Sequence, residues 1–360
     1  MPSFPLAPGS TIGILGGGQL GRMLALAAAR LGFDVAILER DADSPAGRSA
    51  THLIVGGYDD EAALARLAEL TDVVTYEFEN VPAASVERLA ARGVDVAPGP
   101  RALAVAQDRV NEKTFLNGRG VATVAFAPAD DPAAAIAAVE RIGAPALMKT
   151  RREGYDGKGQ KWVEHAADAG RIFEALGSVP VIVEAPADFV RELSVIAARG
   201  RDGAIAVYPL GENHHEHGVL RRTIAPAQAS QGLKDQAEKI ARQVLDGLQY
   251  VGVIGIELFE MKDGRLLVNE IAPRVHNTGH WTQDGCEVDQ FEQHIRAVAG
   301  WPLGPTGARS RVEMLNLLGE EANQWRKLAA EPDTRIHLYG KRDAKPGRKM
   351  GHVNRVKPLG

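Results

Sequence analysis

Ile254–Ile271 reads I-G-I-E-L-F-E-M-K-D-G-R-L-L-V-N-E-I, two apolar runs separated by Lys262-Asp263-Gly264. Asp-Gly between runs rich in Ile, Leu and Val is a strong short-range signal for a β-hairpin. With Asp263 and Gly264 as the two turn residues, Lys262 faces Arg265, and Glu257 falls directly opposite Glu270 on the same face. Like charges opposed across strands destabilise a hairpin, so the pair calls for a reason. A divalent cation between them is one: carboxylate oxygens, with phosphate as a further ligand, suit Mg²⁺. Asn269 can join through its amide oxygen after a modest local shift. The alternatives are that both carboxylates are solvated on an exposed face, or that a three-residue loop shifts the register.

Upstream, Lys149 ends the apolar run Pro145–Met148, so its ammonium emerges at a strand end. Five residues later comes Gly154-Tyr155-Asp156-Gly157-Lys158-Gly159-Gln160. Three glycines in six residues exclude helix and leave N–H groups free to turn toward phosphate oxygens. Lys149 and Lys158 add positive charge there. No Gly-Lys-Ser/Thr closes the loop, so it is not a Walker loop, and a plain hairpin tip is the alternative. Between this loop and the hairpin lies Glu184, which ends the apolar run of VPVIVE.

The first hundred residues alternate short apolar strands (Thr11–Leu15, Asp34–Leu38, Leu53–Val55, Asp72–Tyr76, Val94–Val96) with helical segments, the pattern of a doubly wound parallel sheet. Gly16-Gly17-Gly18-Gln19-Leu20-Gly21 joins the first strand to a helix, and Glu39 ends the second strand. Alone this is the dinucleotide fingerprint and suggests NAD; a tight strand–helix turn selects the same glycines without any ligand. Pro98-Gly99-Pro100 closes the unit, and one helix is expected over Arg101–Leu116. Beyond Glu192 longer strands dominate, an antiparallel α+β unit, and the last fifty residues read as a small strand–helix–strand module.

Composition narrows the class. The chain has 360 residues, 45% hydrophobic and 24% charged, enough to bury two or three cores. A net charge of −4 provides no global basic field for nucleic acid or membrane. The single Cys286 excludes an internal disulfide and is expected to be inert. Met1–Ser10 carries no secretory pattern and Met23–Phe33 is too short to span a bilayer, so a soluble cytoplasmic protein is expected. His214, His215 and His217 beside Glu216 are expected in a solvated loop, and Trp281, Trp301 and Trp325 in packing.

In order, a strand-end lysine, a glycine-rich loop, a strand-end glutamate and a Glu…Asn-Glu hairpin resemble the ATP-grasp superfamily. Gly13–Met23 (GILGGGQLGRM), Tyr76–Val81 (YEFENV), Gly154–Gln160, Arg191–Ile196 (RELSVI) and Ala272–Thr282 (APRVHNTGHWT) narrow the resemblance. Together they are similar to the N5-carboxyaminoimidazole ribonucleotide synthetases, from Thr11 to Val356. The resemblance implies a Rossmann-like N-terminal substrate domain (residues 1–100), an ATP-grasp small subdomain with a glycine-rich flap (101–190), a large subdomain with the metal site (191–300) and a C-terminal module completing the substrate site (301–360).

It implies ATP-dependent carboxylation of 5-aminoimidazole ribonucleotide by bicarbonate through carboxyphosphate, in de novo purine biosynthesis. ATP contacts would come from Arg109, Lys149, the Gly154–Gln160 loop, Glu184, Ala185, Pro186, Ala187, Glu192, His215, Asn269 and Glu270. Glu257 and Glu270 would bind Mg²⁺, with Mn²⁺ as a substitute. Gln19, Leu20, Glu77, Tyr155, Arg274, His276, Lys341 and Arg348 would face the ribonucleotide, its phosphate or bicarbonate. Lys149, Lys158 and Arg274 are the candidate catalytic residues, and the flap should exclude water from a hydrolysable acyl phosphate. Pro186 stands where the family often has an aromatic residue and removes one N–H from the adenine hinge. Neither biotin nor NAD is expected; a homodimer is. The rival readings are a formate-dependent glycinamide ribonucleotide transformylase of the same superfamily, an NAD-binding oxidoreductase, and a nucleotide-binding subunit without turnover.

Overall fold

The computed structural model describes residues 3–154 and 158–359. Its first unit runs β1 (Thr11–Leu15), α1 (Gln19–Arg30), β2 (Asp34–Glu39), β3 (His52–Val55), α2 (Glu61–Leu70), β4 (Val73–Tyr76), α3 (Ala83–Ala91) and β5 (Asp95–Val96). All pairings are parallel in the order β3-β2-β1-β4-β5. Ile14, Leu15, Ile37, Leu38, Val73 and Val74 are fully buried, which is why these strands read as unbroken apolar runs. The strand order reverses between β1 and β4, and the crevice at their C-terminal ends is where such sheets take ligands.

The single helix expected over Arg101–Leu116 is two, α4 (Pro100–Ala106) and α5 (Arg109–Gly118). Asp108 divides them by capping α5: its carboxylate accepts from the N–H of Val110 at 3.0 Å and of Asn111 at 3.3 Å. Next come β6 (Phe126–Ala129), α6 (Pro132–Ile142), β7 (Ala146–Thr150), β8 (Gln160–Val163), α7 (Ala169–Ala175) and β9 (Val181–Glu184), an antiparallel sheet ordered β6-β9-β7-β8. Pro128 hid β6 from the sequence reading; it is tolerated because β6 is an edge strand.

The remaining elements are β10 (Phe189–Arg199), β11 (Ile205–Val207), β12 (Gly211–Glu216), β13 (Val219–Ala225), α8 (Gln231–Leu248), β14 (Gly252–Met261), β15 (Leu266–Ala272), α9 (Thr282–Gly285), α10 (Gln290–Val298), β16 (Ser310–Leu318), α11 (Trp325–Ala329), β17 (Thr334–Leu338) and β18 (Lys349–Pro358). They build one large sheet, β15-β14-β10-β12-β13-β16-β18-β17, with β11 beside β10. The C-terminal segment thus has one strand more than expected and continues this sheet through β13 and β16. A buried His294 ties the sheet to the N-terminal unit. Its Nδ1 accepts from the Val253 N–H at 3.0 Å, and its Nε2 lies 2.8 Å from the Thr75 hydroxyl.

Of the three histidines expected in a solvated loop, His217 lies in an exposed turn and the other two stand elsewhere. His214 and His215 lie on β12, and His217-Gly218 is a two-residue turn with positive φ at both positions. The strand was hidden because polar pairs replace apolar ones, as where Thr223 donates to the Asn213 amide oxygen at 2.9 Å. Trp281 is buried and Trp301 packs on Phe33 at 5.2 Å, but Trp325 is exposed under the Arg326 guanidinium.

Candidate active site

A cavity of about 450 Å³ lies where the two antiparallel sheets and the β1–β4 crevice meet. Among the expected site residues, Gln19, Leu20, Arg109, Lys149, Gly154, Lys158, Gln160, Glu192, His215, Glu257, Asn269, Glu270, Arg274 and His276 line it. Tyr155, Asp156 and Gly157 lie outside the described residues.

Glu257 and Glu270 are direct partners across β14 and β15, as expected, but by another route. The turn has three residues: the Gly264 N–H donates to the Met261 carbonyl and the Met261 N–H to the Arg265 carbonyl, both at 2.9 Å. This shifts the register by one, and an irregularity between Glu257 and Leu258 shifts it back. Glu270 is open to the cavity; Glu257 is half-buried. Burial and the facing Glu270 push the Glu257 carboxyl up to about 7. The Asn269 amide is 3.4 Å from Glu257. Hard oxygen donors short of positive charge fit a divalent cation such as Mg²⁺.

Opposite this pair, β7 presents Lys149, whose Nζ is 2.8 Å from Glu184 Oε2. The other oxygen of Glu184 is 3.2 Å from Lys113 Nζ. Burial alone would raise the Glu184 carboxyl, but Lys149 and Lys113 outweigh it and hold it below the usual range. Glu184 does not line the cavity and is spent on these two lysines. The Ala185 N–H is also spent, donating to the Ala125 carbonyl at 2.9 Å, so with Pro186 beside it two hinge N–H donors are removed. The base of the glycine loop is closed by Arg109, which donates to the carbonyls of Thr150 at 3.2 Å and Gly154 at 2.7 Å. A Cβ on Gly154 would stand 2.8 Å from the Lys158 carbonyl oxygen, so glycine is required for the strands to close here.

His215 Nδ1 pairs with Glu192. Burial would lower this imidazole's pKa, but Glu192 and Glu257 outweigh it and raise it. His276 is half-buried, and burial and Arg274 push its pKa well below the ordinary imidazole value. Its backbone is gripped by Gln290, which accepts from its N–H at 2.9 Å and donates to its carbonyl at 2.8 Å. Gly255 on β14 makes room for that ring: a Cβ there would be 2.8 Å from its Cγ.

On the substrate side the structure redistributes roles. Glu77 is spent at the start of α1, where it accepts from the N–H of Gly18 and of Gly21, the latter at 2.7 Å. Glu79, two residues on, lines the cavity and pairs with Arg274. Lys341 and Arg348 are absent from the lining, and only Lys341 bonds a residue of its wall. Lys341 donates to the Lys349 carbonyl at 2.9 Å, Arg348 to the Asp343 carbonyl at 3.1 Å, and Lys349 lines the cavity. Glu112 on α5 also lines it, its carboxyl pushed up to about 8 by burial and Glu270. The sequence reading missed Glu79, Glu112, Lys113 and Lys349. The YEFENV motif and the candidate Arg348 pointed to two of their neighbourhoods.

The glycine turn after β1 is no dinucleotide site. The Gly17 N–H donates to Glu39 at 2.7 Å, and those of Gly18 and Gly21 go to Glu77. A pyrophosphate there would meet two carboxylates.

A strand-end lysine facing a carboxylate pair between two antiparallel sheets defines the ATP-grasp class. Residues 114–291 match the ATP-grasp domain, residues 10–107 the ribonucleotide synthetase preATP-grasp domain, and residues 313–358 the phosphoribosylaminoimidazole carboxylase C-terminal domain. The chain is 49% identical over 360 residues to the N5-carboxyaminoimidazole ribonucleotide synthase of Brucella melitensis, covering 99% of both. It is 39% identical to that of Bacillus subtilis, covering 97% of this chain and 92% of the relative. Its fold matches the Aspergillus clavatus enzyme in complex with ADP and 5-aminoimidazole ribonucleotide, with a TM-score of 0.91, 32% identity and 98% and 95% coverage. The chain belongs to the N5-carboxyaminoimidazole ribonucleotide synthase family.

Proposed function

We propose that this chain carboxylates 5-aminoimidazole ribonucleotide with bicarbonate at the expense of ATP, yielding N5-carboxyaminoimidazole ribonucleotide, ADP and phosphate. The observation that carries the reading is a single cavity shared by Lys149, the Glu257–Glu270 pair and Gln19 and Leu20 at the parallel sheet's crevice, with Arg274 also in its wall. A nucleotide triphosphate and a ribonucleotide can thus meet without either leaving the protein.

Bicarbonate is a poor electrophile, so one of its oxygens must become part of a leaving group. That oxygen attacks the γ-phosphorus, the bond to ADP breaks, and carboxyphosphate forms. The exocyclic amine then bonds to the carboxyl carbon, directly or as CO₂ released in place, and phosphate leaves carrying the bicarbonate oxygen. The proton shed by the amine can leave on that phosphate. Such chemistry asks the protein for positioning and charge more than for a nucleophile. Lys149 and Lys158 would neutralise the phosphates. Arg274, held by Glu79, would present its planar guanidinium to bicarbonate or the acyl phosphate. Glu257 and Glu270 would hold Mg²⁺, with Asn269 beside them. When bound, the ion would neutralise charge on the transferring phosphoryl group.

The family resemblance also points to a homodimer and a cytoplasmic setting. Among the described residues no helix is long and apolar enough to cross a membrane. The test is ADP release from Mg-ATP while the ribonucleotide, bicarbonate and formate are omitted in turn, with loss of the free amine followed in parallel. Matched ADP release and amine loss that require bicarbonate support the reading. A requirement for formate overturns it in favour of a transformylase.

A further inference from the structure

β15 is the outer strand of the large sheet, and its irregularity brings Glu270 opposite Glu257. Were the register of the turn continued, Asn269 would oppose Glu257 and Glu270 would point to the other face. An irregular edge strand slips unless its free backbone groups are held. Two of them, flanking Glu270, are held by side chains of α5, while the Leu266 N–H donates to Gln236 Oε1 of α8 at 3.3 Å. The Ile271 N–H donates to Glu112 Oε1 at 2.7 Å, and the Asn269 carbonyl accepts from Lys113 Nζ at 3.0 Å. The Val268 N–H donates to the Ala122 carbonyl just beyond the helix, at 2.9 Å.

The same helix face reaches the opposite wall. Arg109, Glu112 and Lys113 stand at i, i+3 and i+4, so they share one side of α5. Arg109 holds the loop base through Thr150 and Gly154. Lys113, 1% exposed, reaches Glu184, which in turn holds Lys149. A continuous chain therefore runs from the Asn269 carbonyl through Lys113 and Glu184 to Lys149, joining the two sheets behind the cavity.

We propose that Glu112 and Lys113 are positioning residues: α5 clamps the β15 irregularity and thereby fixes Glu270 and Asn269 against Lys149. This rests on the carboxylation reading for its kinetic consequence but not for its structural one. Each acts through another group. Glu112 acts through the Ile271 amide, Lys113 through Asn269 and Glu184.

The test compares Glu112→Leu, which removes the acceptor, with Glu112→Gln, which keeps an oxygen for the Ile271 amide. Hydrogen exchange of that amide is read first, on the protein without substrates. Glu112→Leu should speed its exchange by about tenfold, leave the Ile254 and Ile256 amides of β14 protected, and lower kcat by about ten- to hundredfold. Its KM for ATP should move far less, and Glu112→Gln should restore most of both properties. Lys113→Met should lower kcat in the same way. If that variant does not fold, the Glu112 pair alone decides. A kcat unchanged in Glu112→Leu, even with a lowered Tm, would overturn the proposal. So would a lost kcat with the Ile271 amide still protected. Because exchange needs no turnover, a wrong substrate assignment would leave the clamp visible and so be told apart from its absence.

Discussion

Two glycine-rich segments in this chain invite the same reading and serve different ends. Gly16–Gly21 fits the dinucleotide fingerprint, yet the N–H groups of Gly17, Gly18 and Gly21 are taken by Glu39 and Glu77, carboxylates of the same domain. Gly154–Gln160 fits no named phosphate motif, yet Lys149 and Lys158 line the cavity at its base, across from a carboxylate pair. Glycine supplies close approach in both. The charge around the N–H groups separates the two: anions occupy those of Gly17, Gly18 and Gly21 in the first, whereas two cations at the base of the second favour the phosphate role proposed for it.

The largest effect should come from the loop's side of this comparison. Glu270→Gln halves the formal charge of the carboxylate pair and is expected to lower ATP turnover by at least about a hundredfold. Its Tm should hold or rise slightly, because repulsion with Glu257 is relieved. Steady-state ADP release with a thermal melt measures both, and normal turnover would remove the pair from the mechanism.

The glycine turn should respond in the opposite sense. Glu77→Ala strands the Gly18 and Gly21 N–H groups and should cost about 2 kcal/mol of stability with KM for ATP unchanged. A raised KM for ATP at unchanged Tm would make the turn a phosphate site after all. Denaturant melts paired with initial rates distinguish these outcomes.

An effect that grows only as the pH falls concerns the joint between the first unit and the large sheet. Burial holds the His294 imidazole down at about 3, against an ordinary value of 6.5. Below pH 6.5 the unfolded chain binds a proton that the folded one refuses. The stability His294 allows is therefore complete above that pH and falls by about 1.4 kcal/mol per unit toward pH 3. His294→Gln, compared with the unsubstituted chain by denaturant melts from pH 7 to 4, should flatten part of that slope. An unchanged slope would show that the joint does not titrate.

How much of this was legible follows from what each signal encodes. Alternating strand and helix in the first hundred residues reports burial on both faces of a parallel sheet, and every strand there was readable. The opposition of Glu257 and Glu270 was readable too, although the loop and the irregularity that produce it offset each other and leave no trace in residue pattern. Glu77 and Glu79 stand two apart just beyond β4, where strand alternation has ended, so the motif could not say which faces the cavity. β12 escaped because its polar residues pair with one another or face the site, although His217-Gly218 marked its turn. Glu112 and Lys113 sit on an ordinary polar-looking helix, and only the fold brings β15 against them.

The most direct measurement is the fate of bicarbonate oxygen. The complete mixture would be run with ¹⁸O-labelled bicarbonate, and the phosphate released would be analysed by mass. Activation by phosphoryl transfer requires one labelled oxygen in each phosphate formed alongside N5-carboxyaminoimidazole ribonucleotide. Carboxylation with unlabelled phosphate would mean that bicarbonate never attacked ATP, and Lys149 and the Glu257–Glu270 pair would then have no phosphoryl transfer to bicarbonate to assist.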